Sequence, residues 1–309
     1  MKIRKIIAET ILDSKGDKTI KITVYRKYIG SAPLGVSLSN SEVQAFPSNG
    51  VPIGIVNRTL HKGLKGFRFD EFKDLEEIER ILFDYDESEK LIKLGGNTVI
   101  ALESALLKGV SRNNIWNFLN PNADELPTPI GCCMGGGKHS RVKGSDFQEF
   151  LLVPYGEAFR DNAFVNAYIH KRIREDLRPV ARTYMNGWVS SLDTISILDF
   201  LTKLKEEAFE KFGIQTGLGI DVAGSHIFNG GYYFYRNGKL TRENQIRYVN
   251  ELIRRYSLDY IEDPLEENDI QGFGIINGEL VCGDDIVASD VERLSNVMGK
   301  INCVSVKPN

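Results

Sequence analysis

The sequence predicts an α+β domain followed by a parallel α/β barrel, and three observations carry that expectation. Two strand-like runs joined by a polar turn, then two helical patterns, occupy the first third of the chain. Beyond Leu126-Pro-Thr-Pro129, strand-like runs alternate with helical ones, the signature of βα units. Four of those runs, Gly219-Ile-Asp221-Val-Ala, Tyr260-Ile-Glu262-Asp-Pro264, Val281-Cys-Gly-Asp284-Asp285 and Val304-Ser-Val-Lys307-Pro-Asn309, each close on a carboxylate or an amine. A parallel barrel delivers its chemistry in that way, with side chains converging from successive strand ends on one face.

In chain order, Ile3 to Leu12 and Thr19 to Tyr28 read as strands joined through Asp13-Ser-Lys-Gly-Asp17. Ser31 to Asn40 is small and polar without a period and reads as a flexible loop. Phe72, Leu75, Ile78, Ile81 and Leu82, and then Val99, Leu102, Ala105 and Leu106, recur at helical steps. The proline-rich stretch at Leu126 divides the chain into expected domains of residues 1-125 and 126-309. Pro129 to Cys133 and Phe150 to Val153 are short strands, and Ile195 to Phe212 is an amphipathic helix closed by Gly213. Gly217 to Ala223 is a strand, followed by a helix marked by Ile246, Val249, Leu252, Ile253 and Tyr256 with Thr241 as N-cap. After Tyr260-Ile-Glu262, a helix marked by Val291, Leu294, Val297 and Met298 is entered through Asp290. No short repeat or low-complexity segment interrupts the series.

Composition sets the class. The 309 residues are 42% hydrophobic, enough for a sizeable core, and 26% charged with a net charge of −3. The charges are evenly mixed, so no basic patch argues for nucleic acid or an anionic membrane. No apolar run is long enough to span a bilayer, and Met1-Lys-Ile-Arg-Lys-Ile-Ile opens as a strand instead of a signal peptide. The expected location is cytoplasmic, with Cys132, Cys133, Cys282 and Cys303 as reduced thiols, since they form no CxxC pair.

The strand-end acids have a chemical logic. Asp221, Glu262 and Asp284 are spaced so that one βα unit fits between each pair. Three carboxylates at neighbouring strand ends repel, and like charges sharing a site push a pKa upward. A hard divalent cation resolves the conflict, and Mg²⁺ suits an all-oxygen shell that keeps waters. Each acid alone is more commonly a turn or cap group, and it is the three in register that point to a metal. Lys307 follows at the next strand end, where a cation would lower its pKa toward that of a general base. Gly135-Gly-Gly-Lys138 has the look of a phosphate loop, but Cys132 stands at the required first glycine and His139 replaces Ser/Thr. Cys132-Cys133, without a partner motif, reads as core.

From these residues outward the sequence resembles the enolases. The matching stretches are Ile11-Leu-Asp-Ser-Lys-Gly16, Pro33-Leu-Gly-Val-Ser37, Leu94-Gly-Gly-Asn97 and Leu126-Pro-Thr-Pro129. They continue through Gly136-Gly-Lys-His139, Gln148-Glu-Phe150, Asp221-Val-Ala-Gly-Ser225, Ile261-Glu-Asp-Pro264, Gly283-Asp-Asp285 and Lys307-Pro-Asn309. Any one of them is weak, but all of them in order are specific. The resemblance implies dehydration of 2-phosphoglycerate to phosphoenolpyruvate with two Mg²⁺ ions. It assigns Asp221, Glu262 and Asp284 to the tighter Mg²⁺, Ser37 to the second, and Lys307 to removal of the α-proton. His139, Gln148 and Glu149 match positions that line the substrate and assist the leaving hydroxide.

Three departures qualify these expectations. Thr183-Tyr-Met-Asn-Gly-Trp188 aligns with the family's Gly-Asp-Glu-Gly-Gly-Phe, so Met185 stands where an acid should protonate the departing hydroxyl. Pro33-Leu34-Gly35 carries leucine where the family has serine. The family continues past the lysine strand with two more barrel strands, a His-Arg-Ser phosphate clamp and a second lysine. The expected fold is thus an α+β N-terminal capping domain followed by an α/β (TIM-like) enolase barrel lacking its last two strands. Its activity as a lone chain is expected to be reduced or absent. Its bare edges imply a homo-oligomer or a complementing polypeptide. A catalytically deficient paralogue, or a superfamily enzyme acting on another carboxylate, are the alternative readings.

Overall fold

The computed structural model describes residues 1–35, 41–88 and 90–307. These form two compact units, one running to Glu125 without Ser41, the other from Leu126 to Lys307 together with Ser41. Ser37 lies outside the described residues.

In the first unit, β1 (Ile6–Leu12), β2 (Lys18–Val24) and β3 (Tyr28–Ala32) make an antiparallel sheet in chain order. Thr19 to Tyr28 is therefore not one strand. Tyr25 and Arg26 take left-handed φ values of 52° and 59°, turning the chain between β2 and β3. Neither residue is a usual turn former, which is why the turn was invisible in the sequence. Ser31 and Ala32, expected in a loop, end β3. The core sets Ile20, Ile22 and Val24 with Ala101, Leu102 and Ala105 of the helix Gly96–Val110. Gly30 makes that approach possible, because a Cβ there would meet the Ala101 carbonyl oxygen. The helix Asp74–Asp86 matches the first helical pattern, although Phe72 precedes it and is exposed.

The second unit is built on one sheet of eight strands. In chain order they are β4 (Gly131–Gly135), β5 (Glu149–Pro154), β6 (Ala181–Arg182), β7 (Trp188–Val189), β8 (Thr216–Asp221), β12 (Leu258–Glu262), β13 (Leu280–Gly283) and β14 (Cys303–Val304). The intervening β9 (Phe228–Asn229), β10 (Tyr232–Tyr235) and β11 (Gly238–Thr241) make a separate antiparallel sheet. The large sheet runs β14-β13-β12-β8-β5-β4-β7-β6, and β8, β12, β13 and β14 are mutually parallel. Here the expected βα units hold. Earlier they do not: β5 is antiparallel to both β4 and β8, since residues 136–148 return the chain without a crossover helix.

Helices cover the sheet. Thr194–Phe212 ends at Gly213, which adopts φ 69°, and Thr241 caps Arg242–Tyr256 by accepting from Asn244 N. Asp290 caps Val291–Val297 in the same manner. The helix Phe159–Leu177 has no clear sequence signal, because its buried face is narrow (Val165, Ile169, Ile173) and charged residues dilute the pattern. Phe150, Leu152, Leu218, Ile220 and Ile261 from the strands pack into the same core as Leu198, Leu201, Val249 and Leu252 from the helices.

Candidate metal and acid–base site

Sheet register brings the acids together. Glu149 pairs directly with Asp221, and Asp221 with Glu262, so three carboxylates stand side by side on β5, β8 and β12. Reversal of β5 makes this possible, because its first residue lies where its neighbours end. Asp284 comes one residue after β13, and its Oδ2 forms an ion pair with Lys307 Nζ at 2.6 Å. Lys307 sits three residues past the end of the short β14, and its backbone N–H donates to Ser289 Oγ at 2.8 Å.

Asp263 shapes this corner. Its φ is 39°, and its two carboxylate oxygens accept from the backbone N–H groups of Asp284 (3.1 Å) and Asp285 (2.7 Å). Ligand oxygens of Asp263, Asp284 and Asp285 lie within 4.8 Å of one another, a tighter group than the sequence singled out. Each Asp263 oxygen takes one amide, which fixes the turn that positions Asp284 and Asp285.

The electrostatics are those of crowded, desolvated acids. Asp221 is buried, and burial followed by the charges of Glu262 and Glu149 holds its carboxyl well above the usual range. Burial and the charge of Asp284 push Glu262 up to about 7, against a hydrogen bond from Tyr260 OH (2.8 Å) and the opposing charge of Lys307. Every donor here is a carboxylate oxygen, the chemistry of a hard divalent cation. Such an ion would reverse the repulsion and return these groups to their charged forms.

A polar chain continues from Asp221. Gln148 Nε2 donates to Asp221 Oδ2 at 2.8 Å, and Ala223 N donates to Asp221 Oδ1 at 2.8 Å. Gln148 Oε1 therefore accepts from His226 Nδ1 at 3.2 Å, which leaves His226 Nε2 as an acceptor, buried and without a hydrogen-bond partner. Burial, then the charge of Lys138, lowers His226 to about 4, so it is neutral at pH 7. His226 directly follows the stretch Asp221-Val-Ala-Gly-Ser225, and the polar run after a strand is the sequence signal for it. His139, buried in the turn Gly137–His139, places Nδ1 3.1 Å from Glu149 Oε1. Met185 occupies the turn between β6 and β7 and is 53% exposed. Its neighbour Tyr184 donates its backbone N–H to the His139 carbonyl at 3.2 Å. The four cysteines are free thiols, and burial pushes Cys133 up to about 12.

Comparison with known proteins agrees along the whole chain. Residues 3–117 match the family described as "Enolase, N-terminal domain", and residues 123–309 match "Enolase, C-terminal TIM barrel domain". A protein called Enolase from Methanothermobacter thermautotrophicus is 34% identical over 99% of this chain and 80% of its own length. Another of that name from Picrophilus torridus is 32% identical over 97% of this chain and 79% of its own length. The corresponding protein of Archaeoglobus fulgidus is 29% identical over 100% and 80%. Among the described residues, no helix is long and apolar enough to cross a membrane.

The raised Glu262 predicts a pH dependence. In the unfolded chain this carboxyl titrates near 4.5, and in the metal-free fold near 7. The folded state therefore binds the extra proton between those values, and its stability falls as pH rises through them. Thermal melts in chelator from pH 5 to pH 8 are expected to show a declining melting temperature. Glu262→Gln should flatten the decline, and parallel profiles for the two proteins would contradict the assignment.

Proposed function

The chain belongs to the enolase family, and on that premise we propose that it is a Mg²⁺-dependent lyase of the phosphopyruvate hydratase type, converting 2-phosphoglycerate to phosphoenolpyruvate. The observation that supports this reading is the pairing of Asp221 with Glu262 on adjacent strands, with Asp284 just past the next strand and Lys307 paired to it. When bound, Mg²⁺ would offset the charge that builds on the substrate carboxylate as the α-proton leaves, the pattern known for enolase-superfamily sites.

The chain's own groups then have distinct tasks. Asp221, Glu262 and Asp284 would hold the tighter ion, with Ser37 assigned to the second by resemblance alone. In the metal-free state Lys307 Nζ is engaged by Asp284 Oδ2 at 2.6 Å. With Asp284 engaged by a cation, Lys307 would leave that ion pair, and after giving its own proton to solvent its neutral Nζ would accept the α-proton. The pair His139–Glu149 stands ready to move a proton toward the departing hydroxyl, with Gln148 orienting Asp221 and His226. His226 Nε2 is an acceptor that a substrate hydroxyl would satisfy.

Met185 favours a second reading on the same site. A thioether has no proton to give, so proton removal would outpace loss of hydroxide, and the site would serve abstraction on a carboxylate more readily than elimination. A catalytically deficient protein that keeps its metal lies at the end of that series.

Two measurements follow. Mg²⁺ at 100 times its dissociation constant should stabilise the fold by about 2.7 kcal/mol through mass action. Asp284→Ala should melt at one temperature with or without the ion; an equal Mg²⁺ response in both proteins would remove these ligands from the account. Turnover of 2-phosphoglycerate, followed by ultraviolet absorbance of phosphoenolpyruvate, is expected below roughly 10 s⁻¹ because of Met185. Lys307→Ala should lower it a further ~10²–10⁴-fold. Turnover indifferent to that substitution would exclude Lys307 as the base.

A further inference from the structure

Beside the strand-end acids the second unit has a feature of opposite sign. Residues 137–146 fold back on themselves, with Gly137 N donating to the Ser145 carbonyl at 3.0 Å and Gly136 bridged to Ser145. Gly136 is required there, since a Cβ would meet the Ser145 carbonyl oxygen at 2.2 Å. Between this folded loop and residues 222–236 lies a cleft of about 580 Å³, and four of the side chains lining it are Lys138, Arg141, Lys143 and Arg236. That volume suits a small ligand.

The charges in this cleft are unbalanced. None of the four cations forms an ion pair among the described residues. The single acid lining the cleft, Asp146, spends one carboxylate oxygen on the Arg236 backbone N–H at 3.0 Å. Arg141 is held in place from behind: its Nε donates to Tyr184 OH at 2.7 Å and its guanidinium lies 5.2 Å from that ring's centre. With Nε occupied, its Nη1–Nη2 edge can make a forked contact to an oxyanion. Four cations around a concave space, with only one acid among them, attract anions and repel one another until one arrives. Neutral His226 and Gln148 complete the wall with polar groups that add no negative charge.

We propose that this cleft binds a phosphate group of a small phosphorylated molecule through Lys138, Arg141, Lys143 and Arg236. A planar carboxylate would engage one fork, whereas a tetrahedral dianion presents oxygens to several of the cations at once. The cleft shares Gln148 with the acid site, so the phosphate belongs either to the acid handled at the strand ends or to a separate phosphorylated ligand.

Calorimetric titration of the full chain with inorganic phosphate, in chelator at low ionic strength, tests the assignment. One saturable site per chain is expected, weakened by salt. Lys143→Gln/Arg236→Gln should bind at least about tenfold more weakly, the loss expected for two charge-assisted contacts. Both side chains are exposed, so the melting temperature of this variant should match that of the wild type. Asp284→Asn removes a metal ligand yet should bind phosphate normally, so failure of the metal reading and failure of this one are separately visible. Displacement of phosphate by 2-phosphoglycerate would assign the site to that acid, and simultaneous binding would assign it to another phosphorylated ligand. Absence of saturable binding, or unchanged affinity in the double variant, would overturn the proposal.

Discussion

Repulsion among buried carboxylates is the constraint on which the second unit turns. Glu149, Asp221 and Glu262 are fixed side by side by backbone register, and Asp284 is fixed beside them by the two amides that Asp263 accepts. The sheet and that turn set their backbone positions, so the carboxylates stay neighbours whatever rotamer each adopts. A fold that forces acids together in low dielectric must protonate them, pair them or bind a cation. All three answers are visible: raised carboxyl groups at Asp221 and Glu262, the Lys307 ion pair, and a donor set suited to a hard metal. Crowding these acids costs stability in the metal-free fold, and raised carboxyl groups of this kind are what a functional site would show.

The architecture makes this convergence possible through one reversed strand. Because β5 runs against β4 and β8, its first residues, and not its last, share an edge of the sheet with the ends of β8 and β12. Gln148, which immediately precedes β5, then reaches Asp221, and Glu149 reaches His139 on the returning loop. That same loop carries Lys138, Arg141 and Lys143, so a single return segment supplies both the histidine of the acid site and much of the basic cleft. Opposite fields set close together suit a ligand with more than one charged group.

Much of this was legible in the sequence where local chemistry and global position agree. Gly213, Thr241 and Asp290 did at helix ends what their side chains dictate, and Asp221 and Glu262 closed their strands as the apolar runs required. The family resemblance rested on short runs around these same residues. What escaped notice depended on tertiary context. The Tyr25-Arg26 turn uses residues without turn preference, and the helix Phe159–Leu177 shows too narrow an apolar face. The direction of β5 is a property of pairing, which a strand's own residues do not encode. His226 and the role of Asp263 depend on hydrogen bonds that span 78 and 21 residues.

The central proposal is that Lys307, with Asp284 engaged by a cation, would remove a proton next to a carboxylate. Proton NMR of 2-phosphoglycerate in D₂O with enzyme and Mg²⁺ reads that step without requiring hydroxide to leave. The account predicts exchange of the α-proton for deuterium, dependent on Mg²⁺, faster than formation of phosphoenolpyruvate, and lost in Lys307→Ala. Product formation with no exchange into remaining substrate, or exchange that persists in Lys307→Ala, would contradict it.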